Sequence, residues 1–193
     1  RHRQICIGDR TGGFPGKGGP ALMAQLCDPA ETVFDNSGNL IIADFGNRRV
    51  RKITPDGIIA TIAGSGAIDP ALSFPGSSGD GGPEIHATFA LVGGIAFDST
   101  GNLYVSDTFG SVIRKIAPDG TVSTLAANLA NPGPLSVAPD GAVYVITGDS
   151  RIRKITPDGN SSLVAGSGVG TGLNRSQGDG GPAVNATLNE PGE

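Results

Sequence analysis

Apolar residues run along this chain in short clusters such as LIIA, LYVS and VYVI, each bounded by Gly, Asp, Asn or Pro. Such runs between turn residues predict strands, and Asp-x-x-Gly-Asn and Pro-Asp-Gly predict the tight turns between them. Four strands are placed in each of three units. The first strand holds Thr32–Phe34, Ile95–Phe97 and Leu135–Val137, and the second Leu40–Ala43, Leu103–Ser106 and Val143–Ile146. The third holds Val50–Ile53, Ile113–Ile116 and Ile152–Ile155, and the fourth Ile58–Ile62, Val122–Leu125 and Ser162–Ala165. The second strand is apolar at successive positions, which predicts burial on both faces, as in a sheet sandwiched between neighbours.

The units are copies of one another. FDNSGNLIIADFGNRRVRKITPDGIIATIAG from Phe34, FDSTGNLYVSDTFGSVIRKIAPDGTVSTLAA from Phe97 and VAPDGAVYVITGDSRIRKITPDGNSSLVAG from Val137 align. Their turn glycines Gly38, Gly101 and Gly141 are 63 and then 40 residues apart. A core unit of about forty residues is the size of a four-stranded propeller blade. A second repeated element explains the longer step. GKGGPALMAQLCDP at 16–29, GDGGPEIHATFALV at 79–92 and GDGGPAVNATLNEP at 178–191 are one linker, replaced between the second and third units by the short ANLANPGP. QICIG at 4–8 aligns with the fourth strands and reads as an orphan outer strand. The expected division is 1–8 outer strand, 9–29 linker, 30–64 blade, 65–92 linker, 93–127 blade, 128–166 blade and 167–193 linker. Three blades are too few to close a ring, which takes ~4–8. They are therefore expected to be a segment of a larger ring, or to be completed by further copies of the chain.

Composition narrows this picture without changing it. With 32 Gly, 14 Pro and no Trp in 193 residues, a helical bundle is excluded and an all-β protein with many turns is favoured. The net charge of −4 argues against a nucleic-acid partner, which needs a basic face. No apolar stretch is long enough to predict a membrane span. The chain opens on Arg1 with no charged-then-apolar leader, so either a signal peptide has been removed or the sequence starts mid-protein. Cys6 and Cys27 can pair, but they are read as two small buried apolar residues.

The segments GNLIIADFGNRRVRKITPDG and GNLYVSDTFGSVIRKIAPDG, with the GDGGPA linker, resemble NHL repeats over nearly the whole chain. The resemblance implies a β-propeller, often six-bladed, and points outside the cytoplasm. It leaves function open, because NHL propellers include RNA-binding and protein-binding domains, receptor sensors, adhesion modules and a metal-dependent lyase.

Candidate chemistry is sparse. Asp44 and Asp107 recur before a turn, followed by Arg51 and Arg114, and are expected to form structural ion pairs. The third unit keeps Arg153 but has Thr147 in place of Asp. Repetition argues against catalysis at these positions, since blades are many and active sites single. The oxygens of Asp35, Ser37, Asn39, Asp98 and Asn102 could suggest Ca²⁺, but the loops are too short for 6–8 ligands and are read as hairpin turns around Gly38 and Gly101. GDGGP lacks the Lys-Ser/Thr pair of a phosphate loop and is read as a staple between blades. Pro83 and Pro182 are placed at the start of a short helical turn, with Ala87, Ala186, Phe89 and Leu188 inward. Lys17 stands where the other linkers have Asp80 and Asp179, so an irreplaceable anionic role there is not expected. The only histidines, His2 and His86, cannot assemble a catalytic zinc site. The basic residues Arg48, Arg49, Arg51, Lys52, Arg114, Lys115, Arg151, Arg153 and Lys154 recur at the same strand of each unit and could form a basic stripe on one rim, but are read as solvated or ion-paired strand ends. The expected function is a non-catalytic scaffold binding a protein or glycan, secreted or extracytoplasmic, with no metal and no cofactor. The alternatives are part of a metal-dependent propeller lyase or hydrolase whose His ligands lie in other blades, and nucleic-acid binding.

Overall fold

A computed structural model describes residues 18–67, 76–168 and 177–188. Its strands form three antiparallel meanders. The first contains β2 (Pro29–Phe34), β3 (Leu40–Asp44), β4 (Arg49–Ile53) and β5 (Ile58–Ala63), with the two-residue β1 (Gly19–Pro20) added outside β5. The second contains β6 (Val92–Phe97), β7 (Leu103–Asp107), β8 (Val112–Ile116) and β9 (Val122–Ala126). The third contains β10 (Pro132–Val137), β11 (Val143–Thr147), β12 (Arg151–Ile155) and β13 (Ser161–Ala165). These are blades of a β-propeller, with β2, β6 and β10 innermost and β6 between the other two. The orphan strand at 4–8 lies outside the described residues. Among the described residues, no helix is long and apolar enough to cross a membrane.

Inner strands extend further toward their N-termini than the apolar pattern indicates. Their early residues are Pro29, Gly93, Gly94, Pro132 and Gly133, poor strand formers that the register accommodates with irregularities at Pro29/Thr32, Val92/Gly94 and Pro132/Leu135. Two apolar cores lie between successive blades, one joining the first and second and one the second and third. Burial differs among the second strands: β3 is buried from Ile41 to Asp44. In the middle blade all of β7 is buried, whereas β11 alternates buried and half-buried, leaving Tyr144 and Ile146 on its open face. Phe97 packs against the first core, while its counterpart Phe34 is 67% exposed on the other end of the arc.

The turns between first and second strands are side-chain-clamped. Asp98 accepts the backbone N–H groups of Thr100 and Asn102, the Thr100 hydroxyl, the Asn102 amide and the Tyr104 hydroxyl. Asp35 accepts the N–H groups of Ser37 and Asn39 and the Asn39 side-chain amide. Gly38 and Gly101 take the left-handed conformation the turn requires, at φ 78° and 87°. Partial burial raises the Asp98 pKa, but the bonds from Asn102 and Thr100 outweigh it and hold the group down at about 2, from an ordinary 3.8. A depressed carboxylate stabilises the fold above its unfolded value and loses that contribution as pH falls through the folded one. Unfolding free energy is therefore expected to decline between pH 3.8 and about 2, and Asp98→Asn to flatten that decline in denaturant melts.

Candidate functional site

The polar groups of the blades divide into those that hold the blades together and those that lack partners. Asp44 Oδ1 accepts the Cys27 N–H at 2.8 Å, and its Oδ2 accepts from Asn47 at 2.8 Å and from Arg51 at 3.4 Å. Burial pushes the Asp44 pKa up, against the lowering effect of these donors. Asp107 has the same place in the second blade but not the same partner. Its carboxylate accepts the N–H groups of Ala90, Leu91 and Gly110 and the Ser77 hydroxyl. The expected Asp107–Arg114 pair is thus corrected, because the carboxylate is already saturated by the incoming linker. Arg114 turns instead to Asp80 on that linker, giving Asp80 the anionic role not expected of it. In the third blade Arg153 lies 3.9 Å from Asp149, and Thr147 bonds to Asp149 and to the Arg151 carbonyl. Asp44 and Asp107 each receive the end of a linker; Thr147 stands in the blade that no linker enters.

The linkers bridge blades. Residues 79–89 pair with the preceding blade through Gly64 N–H to Glu84 O and Ser65 N–H to Ala87 O. They pair with the outer strand of the following blade through Gly81 N–H to Val122 O and Val122 N–H to Gly82 O. Pro83 caps a short 3₁₀ turn at Glu84–His86, and Pro182 caps another at Ala183–Asn185. Ala87 and Phe89 are buried in the first core; Leu188 is half-buried and Asp179 exposed.

Cys27 is disulfide-bonded, correcting the reading of it as a plain buried thiol; its sulfur partner and Cys6 lie outside the described residues. The Cys27 Sγ packs over Gly46, where a Cβ would come within 2.3 Å of it.

The basic stripe is engaged in local contacts. Arg48 donates to Ala90 O, Arg49 to Ser65 O and Arg151 to Asp149 and Ser167 O. Lys154 bonds Asp140, and Lys115 and Lys154 lie over the rings of Tyr104 and Tyr144.

One constellation was not found by reading the sequence. On β2, Glu31 Oε2 reaches across the blade boundary and accepts the Ile95 N–H at 2.7 Å. It does so over Gly94, where a Cβ would lie 2.6 Å from Gly133 O and 3.0 Å from both Glu31 Oε2 and Ser106 Oγ. Glycine is required there by the close approach of three blades. Ser106 is fully buried, and among the described residues neither its hydroxyl nor the buried Thr108 hydroxyl has a hydrogen-bond partner. A cavity of about 370 Å³ is lined by Pro29, Ala30, Glu31 and Thr32. Phe109, 61% exposed, follows Thr108 on the same rim, where β2 and β6 begin. The Glu31 carboxylate on the cavity wall can accept from hydroxyl- and amide-bearing groups, and Phe109 offers a ring on the same rim. Among the described residues, no group of three His, Cys, Asp or Glu residues is placed to hold a metal ion. Gly93 and Gly94 were the available signal, since paired glycines inside a strand mark a close backbone approach.

No family model matches the chain. Human teneurin-4 is 34% identical over 110 residues, which is 52% of this chain and 4% of teneurin-4; mouse teneurin-4 is 33% identical over the same length. The chain therefore spans a small fraction of these relatives. Among solved structures, a catalytically inactive virginiamycin B lyase from Staphylococcus aureus with quinupristin superposes with a TM-score of 0.52 at 17% identity. That match covers 73% of this chain and 42% of the lyase. A Bacteroides thetaiotaomicron protein of unknown function matches with a TM-score of 0.51 at 26% identity, over 62% of this chain and 32% of its own.

Proposed function

We propose that this chain is an NHL-type segment of a larger β-propeller, six-bladed when closed, which binds a protein or glycan partner without catalysis. The observation that carries the binding role is the cavity lined by Pro29, Ala30, Glu31 and Thr32, with Phe109 exposed on the same rim. The NHL type rests on the repeated motifs and on the 34% identity with human teneurin-4.

The test is binding to a panel of neutral oligosaccharides and secreted-protein ectodomains. Phe109→Ala is expected to weaken any such binding at least ~10-fold with no change in melting temperature, because the ring is mostly in solvent. Glu31→Gln is expected to weaken binding as well, since an amide offers one acceptor oxygen where the carboxylate offers two. Binding that neither variant alters would place the site elsewhere. Turnover by the wild-type chain on lactone or cyclic-peptide substrates would favour the lyase or hydrolase alternative, and tight binding of RNA at low salt the nucleic-acid one.

An extracytoplasmic location is part of this reading. Its support is the disulfide at Cys27, a bond that persists in oxidising compartments. Cys27 is expected to resist alkylation until a reductant is added, and to become alkylatable without reductant in Cys6→Ser; mass spectrometry reads both.

A further inference from the structure

The linker at 178–188 makes half of the contacts that its copy at 79–89 makes. The shared half faces backward. Gly166 N–H donates to Ala183 O and Ser167 N–H to Ala186 O, as Gly64 and Ser65 donate to Glu84 O and Ala87 O. The internal geometry is also shared: Gln177 bridges Thr187 as Ser78 bridges Thr88, and Gly181 N–H bonds Gly178 O as Gly82 N–H bonds Gly79 O. The forward half differs. In the earlier copy, the Gly81 N–H, Gly82 C=O and Glu84 N–H pair with Val122 and Gly120 of the following blade. Asp80 there accepts from Arg114 and from the backbone and hydroxyl of Thr124. In the later copy, Gly180 N–H, Gly181 C=O and Ala183 N–H find no partner among the described residues, and Asp179 is exposed.

We propose that Asp179–Ala183 is the donor half of a blade-to-blade lock, and that its occupant is a further four-stranded blade of the same chain. That blade presents an arginine on its third strand, opposite its outer strand, and brings no linker of its own to that edge. The arginine follows from charge complementarity with Asp179 and from the repeat. Arg51, Arg114 and Arg153 hold equivalent register positions opposite Thr61, Thr124 and Leu163, and Arg114 is the one that faces a linker aspartate.

A second copy of the chain does not fit. The open backward face of the arc belongs to the first blade, and its outer strand is already occupied. Gly19 and Pro20 pair with Ile59 and Ile58, and Ala21 N–H donates to Gly57 O. Two copies closed as three blades plus three would bring two linkers to one strand edge. The backward faces of the second and third blades are covered by their neighbours.

Amide hydrogen exchange tests this on the 193-residue chain and on the same chain extended at its C-terminus by a copy of residues 95–127, which continues in register from Gly192 and Glu193, the counterparts of Gly93 and Gly94. In the chain alone, Gly180 and Ala183 should exchange fast at every protein concentration, while Gly81 and Glu84 are protected. In the extended chain both should slow at least ~10-fold, and Asp179→Asn should reverse part of that gain. Protection of Gly180 and Ala183 that rises with concentration in the unextended chain would overturn the proposal in favour of a second copy. Fast exchange at these two amides in the extended chain would also overturn it, whether or not the added blade is itself protected, because the exposed linker would then be unable to seat a blade.

Discussion

Phe89→Ala is expected to destabilise the chain by about 3–5 kcal/mol, lowering the melting temperature by roughly 10 °C. Phe89 is 1% exposed and lies in the core between the first and second blades, yet it comes from the linker and from no strand. Its loss removes a large apolar surface and opens a cavity bordered by strands of two different blades, which cannot collapse independently. Val184, 40% exposed in the other linker, provides the contrast: Val184→Ala should stay within ~0.5 kcal/mol. A Phe89→Ala change below about 1 kcal/mol in denaturant melts would mean that the linker is an ornament on the blades and not part of their interface.

The second large effect is expected at Asp107. Asp107→Ala should cost about 3 kcal/mol, because it strands the N–H groups of Ala90, Leu91 and Gly110 in a region where the aspartate itself is fully buried. Asp107→Asn should recover only part of this, since an amide offers one acceptor where the carboxylate offers two. Thr147→Ala, at the equivalent position of the third blade, should cost about 1 kcal/mol, because Thr147 holds only Asp149 and the Arg151 carbonyl. Equal losses at 107 and 147 would contradict the link between a buried aspartate and an incoming linker.

That link shows how far the sequence could be read. The twelve blade strands were legible because their apolar runs and turn residues repeat three times over, and repetition supplies the register that a single copy lacks. The Asp44–Arg51 pair was legible from the repeat, but the partners of Asp107 and Arg114 were not. Asp44 meets Arg51 within one blade, whereas Asp107 is taken by linker amides and Arg114 by Asp80, thirty-four residues earlier in the chain. Nothing local to the Asp-Thr-Phe-Gly turn signals that difference; it depends on which linker residue reaches the arginine. Lys17 stands at the position of Asp80 in the first linker, a substitution visible in the sequence whose consequence is not. The Glu31 constellation was hidden for the same reason. Glu31, Gly94, Ser106 and Gly133 come from three blades, and only the arc brings them together.

The central claim is that these blades are consecutive members of one larger ring, held by linkers and open at both ends. Light scattering behind a sizing column, over a wide concentration range, tests it most directly. The open faces carrying Phe34 at one end and Tyr144 at the other should give a mass that rises with concentration and does not settle at a defined oligomer. A single species of twice the chain mass, unchanged on dilution, would contradict the account and make the chain a self-completing half-ring.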